Sequence, residues 1–114
     1  MKIALDAMGG DYAPKNIKLK TESDAALKEV SKLLSSDPGL KLLVVGHTDS
    51  VGVLEANMKL SQARAEAVVQ ALVRNYGVAG TRLKAQGAGP IAPVATNRTE
   101  EGRAKNRRVE LVEQ

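Results

Sequence analysis

The sequence predicts an α+β fold: a mixed four-stranded sheet with two long helices packed on one face, plus a short third helix. Three observations predict it. Apolar residues recur at helical spacing between Thr21 and Asp37, and again between Glu55 and Tyr76. The continuous run Leu42-Leu43-Val44-Val45 suits a strand buried on both faces. Taken in order, the elements are strand, helix, strand, helix, strand, loop, strand, and two long amphipathic helices must cover one face of a sheet.

Each element has its own warrant. Lys2 to Leu5 is a short strand candidate, broken by Gly9-Gly10-Asp11 and Pro14. Ile17 to Lys20 leads into Thr21-Glu22-Ser23-Asp24, a helix start with Thr21 or Ser23 as N-cap and acids in the first turn. Leu27, Val30, Leu33 and Leu34 then mark one face, and Asp37-Pro38-Gly39 stops the helix. Lys41 to Gly46 is the clearest strand, and Thr48 to Val53 reads as a loop. The second helix is expected from about Glu55 to Tyr76, with Leu60, Ala63, Ala67, Val68, Ala71 and Leu72 as its apolar face and Gly77 closing it. A third strand is expected from Arg82 to Gln86, with Gly87 to Pro93 as a loop. A short helix near Thr99 to Lys105 precedes the last strand, Arg107 to Val112.

At 114 residues the chain has the size of one domain and is long enough to bury a core without staples. It has no cysteine, which excludes disulfides and thiolate metal sites. Its two aromatic residues, Tyr12 and Tyr76, leave the core to aliphatic side chains. They are also too few for the stacking platforms of single-stranded nucleic-acid binders. The formal charge of +4 is unevenly placed: residues 51–114 carry ten Lys or Arg against six Glu, clustered near Arg98, Arg103, Lys105, Arg107 and Arg108. Such a patch suits nucleic acid, an anionic membrane, an anionic polymer, or simply a solvated face interrupted by Glu100 and Glu101. No stretch reaches the roughly 20 apolar residues of a membrane span, and residues 1–14 lack the apolar run of a signal peptide.

The most informative residues are Asp49 and Arg64. Asp49 ends Gly46-His47-Thr48-Asp49 at the close of the buried strand; Arg64 lies in Asn57-x-x-Leu60-Ser61-x-x-Arg64-Ala65 near the start of the second helix. A strand end facing a helix start holds an acid and a base on rigid elements with a gap between them. That gap suits a ligand carrying both an amine and a carboxylate. Taken singly, Asp49 reads as an N-cap or turn aspartate and Arg64 as a solvated arginine. Asn57 is placed to cap the helix and Ser61 to bond locally to backbone. His47, the single histidine, reads as a structural residue at a strand end, since a metal site needs several ligands. Gly87-x-Gly89-x-x-Ala92 imitates a dinucleotide fingerprint, but Pro90 and Pro93 forbid the helix that fingerprint requires.

These two motifs, followed by Thr99-Glu100-Glu101-Gly102-Arg103-Ala104-Lys105-Asn106-Arg107-Arg108-Val109-Glu110, resemble the OmpA-like (OmpA/MotB/Pal) peptidoglycan-associated domain over residues 17–114. The resemblance implies the same mixed-sheet fold and a non-catalytic role without a cofactor. It implies that Asp49 takes the ammonium and Arg64 the carboxylate of diaminopimelate in the peptidoglycan stem peptide. The division suits the chemistry, since a guanidinium pairs bidentately with carboxylate. It also implies that Thr48, Asn57 and Leu60 line the pocket, the first and last through backbone, and that Asn106 and Arg107 close its far side. Leu60 itself reads as core, and Arg108 as a surface ion-pair residue. The implied partner is peptidoglycan, with no specific nucleic acid, and with a membrane reached only through a missing parent segment. The parent protein is then expected to be periplasmic and outer-membrane associated, and this chain to be an excised domain or one whose start has been replaced.

Residues 1–14, Met1-Lys2-Ile3-Ala4-Leu5-Asp6-Ala7-Met8-Gly9-Gly10-Asp11-Tyr12-Ala13-Pro14, resemble instead the opening of the PlsX family, the phosphate acyltransferases of phospholipid synthesis. The chain is too short to hold that enzyme's remaining sheet and active site. Residues 1–16 are therefore expected to be a leader that supplies at most the first strand. Two other functions follow from local features only: an acyltransferase fragment, from residues 1–14, and a basic nucleic-acid module, from residues 98–108.

Overall fold

The computed structural model describes residues 2–5 and 21–114 of the chain. The breaks expected at Gly9 to Pro14, the lead-in at Ile17 to Lys20, and the leader boundary at residue 16 lie outside the described residues. In order, the elements are β1 (Lys2–Leu5), α1 (Thr21–Ser36), β2 (Leu42–His47), α2 (Leu54–Tyr76), a 3-10 turn (Gly80–Arg82), β3 (Leu83–Gly89), α3 (Glu100–Asn106) and β4 (Arg108–Glu113). The fold is α+β, with three helices and a mixed sheet. The strand order is β1-β4-β2-β3. β2 runs parallel to β3 and antiparallel to β4, and β1 joins the edge antiparallel to β4, with Ile3 opposite Leu111.

The core is aliphatic, as a chain poor in aromatics requires. Leu27, Val30 and Leu34 of α1 meet Ala65, Val68 and Leu72 of α2 over Leu42 and Val44 of β2, Leu83 of β3, and Val109 and Leu111 of β4. Each such leucine, fully withdrawn from water, contributes about 1.5–3 kcal/mol. α1 ends before Pro38, where the Asp37 N–H donates to Leu33 O. α2 ends at Gly77, whose φ of 69° is left-handed and whose N–H donates to Leu72 O. The expected cap of α1, Thr21 or Ser23, lies outside the described side chains.

Two glycines decide how α2 meets the sheet. A Cβ on Gly46 would run into the Ser61 carbonyl, and one on Gly87 would lie 2.6 Å from the Gln62 N and 2.7 Å from Ser61 Oγ. The helix backbone thus approaches β2 and β3 closely. Side chains of α2 then bond to the β3 edge: Gly87 N–H donates to Gln62 Oε1 at 2.7 Å and Gly89 N–H to Ser61 Oγ at 2.9 Å. This corrects two expectations. Gly87 to Gly89 are not loop but the end of β3, where Gly87 and Gly89, lacking a Cβ, make room for α2. The inward face of α2 is Asn57, Ser61, Arg64, Ala65, Val68 and Leu72. Leu60, Ala63, Ala67 and Ala71 are only half-buried. The helix is rotated toward its small residues, which alone fit against a glycine-lined sheet.

Candidate functional site

The carboxyl end of β2, the start of α2 and both ends of α3 converge on one cavity of about 290 Å³. Its walls are Thr48, Asp49, Val51, Asn57, Leu60, Arg64, Glu100, Arg103 and Arg107. Six residues singled out from sequence are therefore brought together: Asp49, Arg64, Thr48, Asn57, Leu60 and Arg107.

Asp49 sits where β2 has just ended. Its Oδ1 accepts the Val51 N–H at 2.9 Å, which folds the loop back over the strand end. Its Oδ2 accepts from Arg107 Nη1 at 2.7 Å. Thr48 is anchored through its N–H to Gly89 O and through Oγ1 to Asp49 O. Asn57 belongs to the first turn of α2 rather than preceding it; the N-cap position is Val53. The Asn57 amide instead donates to Val51 O at 2.9 Å, tying helix to loop.

Arg64 is not the solvated arginine its sequence position allows. It is 1% exposed. The cause is the glycine-lined approach: Ser61 lies against Gly46, and a residue three positions on shares its helix face. Leu60 is half-buried and faces the cavity, so it is a wall of the site rather than core.

The opposite wall is α3. Thr99 caps it by accepting the Gly102 N–H at 3.1 Å. Glu100, Arg103 and Arg107 share its inner side. Arg107 Nη2 donates to Glu100 Oε2 at 2.5 Å, and Arg103 Nε to Glu100 Oε1 at 3.2 Å. With Asp49 these groups form one chain across the cavity mouth: acid, guanidinium, acid, guanidinium. The Arg107 hydrogen bond, helped by Arg103, holds the Glu100 carboxyl below its ordinary value of 4.5. Glu100 and then Asp49 raise Arg107 in turn.

Asn106 does not line the cavity. It is fully buried behind it, where Oδ1 accepts the Val94 and Ala95 N–H groups and Nδ2 donates to Ala95 O and Asn97 Oδ1. It fixes the C-terminal end of α3 to the preceding loop. Arg108 corrects another expectation. It carries an ion pair, but a buried one: its Nε reaches Glu110 Oε2 at 3.2 Å and its Nη2 donates to Ala92 O. His47 Nε2 lies 3.0 Å from the other oxygen of Glu110. The two arginines do diverge, Arg107 into the cavity and Arg108 into this buried cluster.

Sequence reasoning missed Val51, Glu100 and Arg103. Glu100 and Arg103 belong to the C-terminal motif that carries the resemblance, but neither is assigned to the pocket from sequence. The spacings from Glu100 to Arg103 and Arg107, three and seven residues, mark one helical face and were the available signal. Among the described residues, no group of His, Cys, Asp and Glu could hold a metal ion, and no helix is long and apolar enough to cross a membrane.

Residues 12–107 match the model of the OmpA family. The chain belongs to the OmpA family. That match begins inside the segment resembling the acyltransferase opening and spans every residue of the cavity. Outer membrane porin F of Pseudomonas aeruginosa is 50% identical over 93 residues, which is 82% of this chain and 27% of the porin. Peptidoglycan-binding protein ArfA of Mycobacterium tuberculosis is 43% identical over 75% of this chain and 26% of that protein. The chain thus spans about a quarter of the length of these two OmpA-family relatives. Among solved structures, the peptidoglycan-associated lipoprotein from Burkholderia pseudomallei superposes with a TM-score of 0.82 at 33% identity, covering 99% of this chain and 89% of that one.

Proposed function

We propose that this OmpA-family domain binds peptidoglycan non-catalytically, through the diaminopimelate of the stem peptide. In the cell it tethers an outer-membrane or other envelope protein to the wall from the periplasm. Asp49 receives the ammonium of the ligand, and Arg64 its carboxylate. Thr48, Asn57 and Leu60 shape the wall between them, Arg107 closes the far side, and Asn106 supports that side from behind. The reading requires no cofactor.

One observation carries it. The acid and the base named from sequence line the same cavity although fifteen residues separate them, and both are withdrawn from solvent, Asp49 at 9% exposure and Arg64 at 1%. Partial desolvation strengthens charge pairing with a zwitterionic ligand. The names of the relatives, a peptidoglycan-binding protein and a peptidoglycan-associated lipoprotein, point the same way. The other two functions lose ground on specific residues. Arg103 and Arg107 are engaged with Glu100 and Asp49, and Arg108 with Glu110, so much of the basic run is not offered to nucleic acid. The acyltransferase resemblance rests on residues 1–14 alone, whereas the OmpA family match covers residues 12–107.

The test is a pull-down on purified sacculi, with DNA and acyl carrier protein as competing ligands. Retention on sacculi at physiological salt is expected, with weak DNA binding that falls steeply as salt rises. Sequence-selective DNA binding, or no retention on sacculi, would overturn the assignment.

A further inference from the structure

The cavity contains its own cation. Asp49 has two oxygens: Oδ1 accepts the Val51 N–H, and Oδ2 accepts Arg107 at 2.7 Å. A ligand ammonium arriving at Asp49 meets a guanidinium already in place. Two cations on one carboxylate oxygen repel each other and share its charge, so the ammonium weakens the hold of Asp49 on Arg107.

The structure also shows where Arg107 can yield to. Its second terminal nitrogen is held by Glu100 at 2.5 Å, and Glu100 stands at the start of α3. Two contacts pin α3. Thr99 caps its N-terminus, and a Cβ on Gly102 would collide with the Thr96 carbonyl, so helix and loop are in close contact. Arg103 steadies Glu100 from the other side and itself donates to Asn97 O. Glu100, two-thirds exposed but paired with both Arg103 and Arg107, is thus a second acid for Arg107.

On the reading that Asp49 binds a ligand ammonium, we propose that Glu100 is a positioning residue that makes the site an ion-pair exchanger. The ammonium replaces Arg107 on Asp49 Oδ2, and Glu100 retains the displaced guanidinium beside the ligand. Without Glu100, Asp49 is the one acid paired with Arg107 among the described residues, and Arg107 competes with the ligand for it. Glu100 thereby sets affinity without touching the ligand.

A double-mutant cycle tests this, with the full chain and meso-diaminopimelate as the probe, by calorimetry at 0.15 M salt. At that ionic strength, charges more than about 8 Å apart are largely screened. Glu100→Gln should weaken binding about two- to fivefold, the range exposed ion pairs carry, and Glu100→Asp should restore part of it. The deciding measurement is the same substitution in an Arg107→Ala background, where Glu100→Gln should change nothing further. If Glu100→Gln weakens binding equally in both backgrounds, Glu100 contacts the ligand or merely shapes α3, and the exchange is refuted. Unchanged affinity in Glu100→Gln, with the wild type binding, refutes the exchange and leaves the function standing. A wild type that binds no diaminopimelate removes both.

Discussion

Asp49→Asn separates the two duties of the aspartate. The side chain is nearly isosteric, and its carbonyl oxygen can still accept the Val51 N–H that folds the β2–α2 loop. The charge that pairs with Arg107, and that would pair with a ligand ammonium, is lost. The stability cost should be moderate. Asp49 and Arg107 side chains are 13% and 24% exposed, so losing the charge costs more than the roughly 1 kcal/mol of an exposed pair. It costs less than the roughly 3–5 kcal/mol of an abandoned buried charge, because Arg107 keeps Glu100. The binding cost should be large. A partly desolvated ammonium left without its carboxylate typically loses about 2–5 kcal/mol, or roughly thirtyfold to several-thousandfold in affinity. Sacculus retention and diaminopimelate calorimetry should both fail, while circular dichroism stays that of the wild type. If the folded Asp49→Asn protein binds sacculi like the wild type, Asp49 is a turn residue and the clamp does not exist.

Further outcomes follow from the same geometry. Arg64→Lys should lose most sacculus binding in the same pull-down, because an ammonium cannot reproduce the bidentate fork; wild-type retention would remove Arg64 from the carboxylate end. Gly46→Ala should destabilise by about 1–3 kcal/mol in urea denaturation, since the new methyl meets the Ser61 carbonyl and α2 must shift; an unchanged midpoint would contradict the close approach. Glu100 has a folded carboxyl value depressed by Arg107, so its contribution is present above about pH 4.5 and is lost as pH falls through the lower folded value. Melting curves should therefore fall more steeply below pH 4.5 in the wild type than in Glu100→Gln; parallel curves would show that the pair does not persist in solution.

The elements were legible because their punctuation is chemical. Pro38 and Gly77 end α1 and α2, and Thr99 starts α3, within a residue or two of where the sequence placed them. What the sequence hid was which way α2 faces. Hydrophobicity selects Val68 and Leu72, which are fully buried, but also Leu60, Ala63, Ala67 and Ala71, which are only half-buried. The sheet selects Ser61, because Gly46 of β2 and Gly87 of β3 bring the α2 backbone at Ser61 and Gln62 into close approach. No periodicity within α2 carries that information. Arg108 was misplaced for a related reason: β4 is buried along both faces from Arg108 to Leu111, so an alternating strand pattern did not imply an exposed side. Asn57 and Asn106 were legible as important but not as ties from helix to loop, since their partners, Asn97 apart, are backbone groups with no sequence signature.

The inward stripe of α2 changes chemistry partway along. From Ala65 through Val68 to Leu72 it is apolar and packs into the core; from Asn57 through Ser61 to Arg64 it is polar and equally buried. A helix stabilised by its apolar face alone gains nothing from the second kind of burial, and each buried polar group costs free energy unless it is bonded. Asn57 and Ser61 meet that cost through Val51 O, Met58 O and the Gly89 N–H, contacts that also hold the loop and the β3 end in place. The C-terminal part of α2 therefore holds the domain together, and the N-terminal part uses that rigidity to keep Arg64 beside the end of β2. Sites built on helices and strands hold their geometry better than sites on loops. Here the loop between Asp49 and α2 is held at Val51 from both sides, its N–H by Asp49 and its carbonyl by Asn57. Variants that loosen this double tie, such as Asn57→Ala, should weaken binding without removing either charged partner. Calorimetry with diaminopimelate should show that loss while Asp49 and Arg64 remain in place, and unchanged affinity would mean that the loop needs no tie.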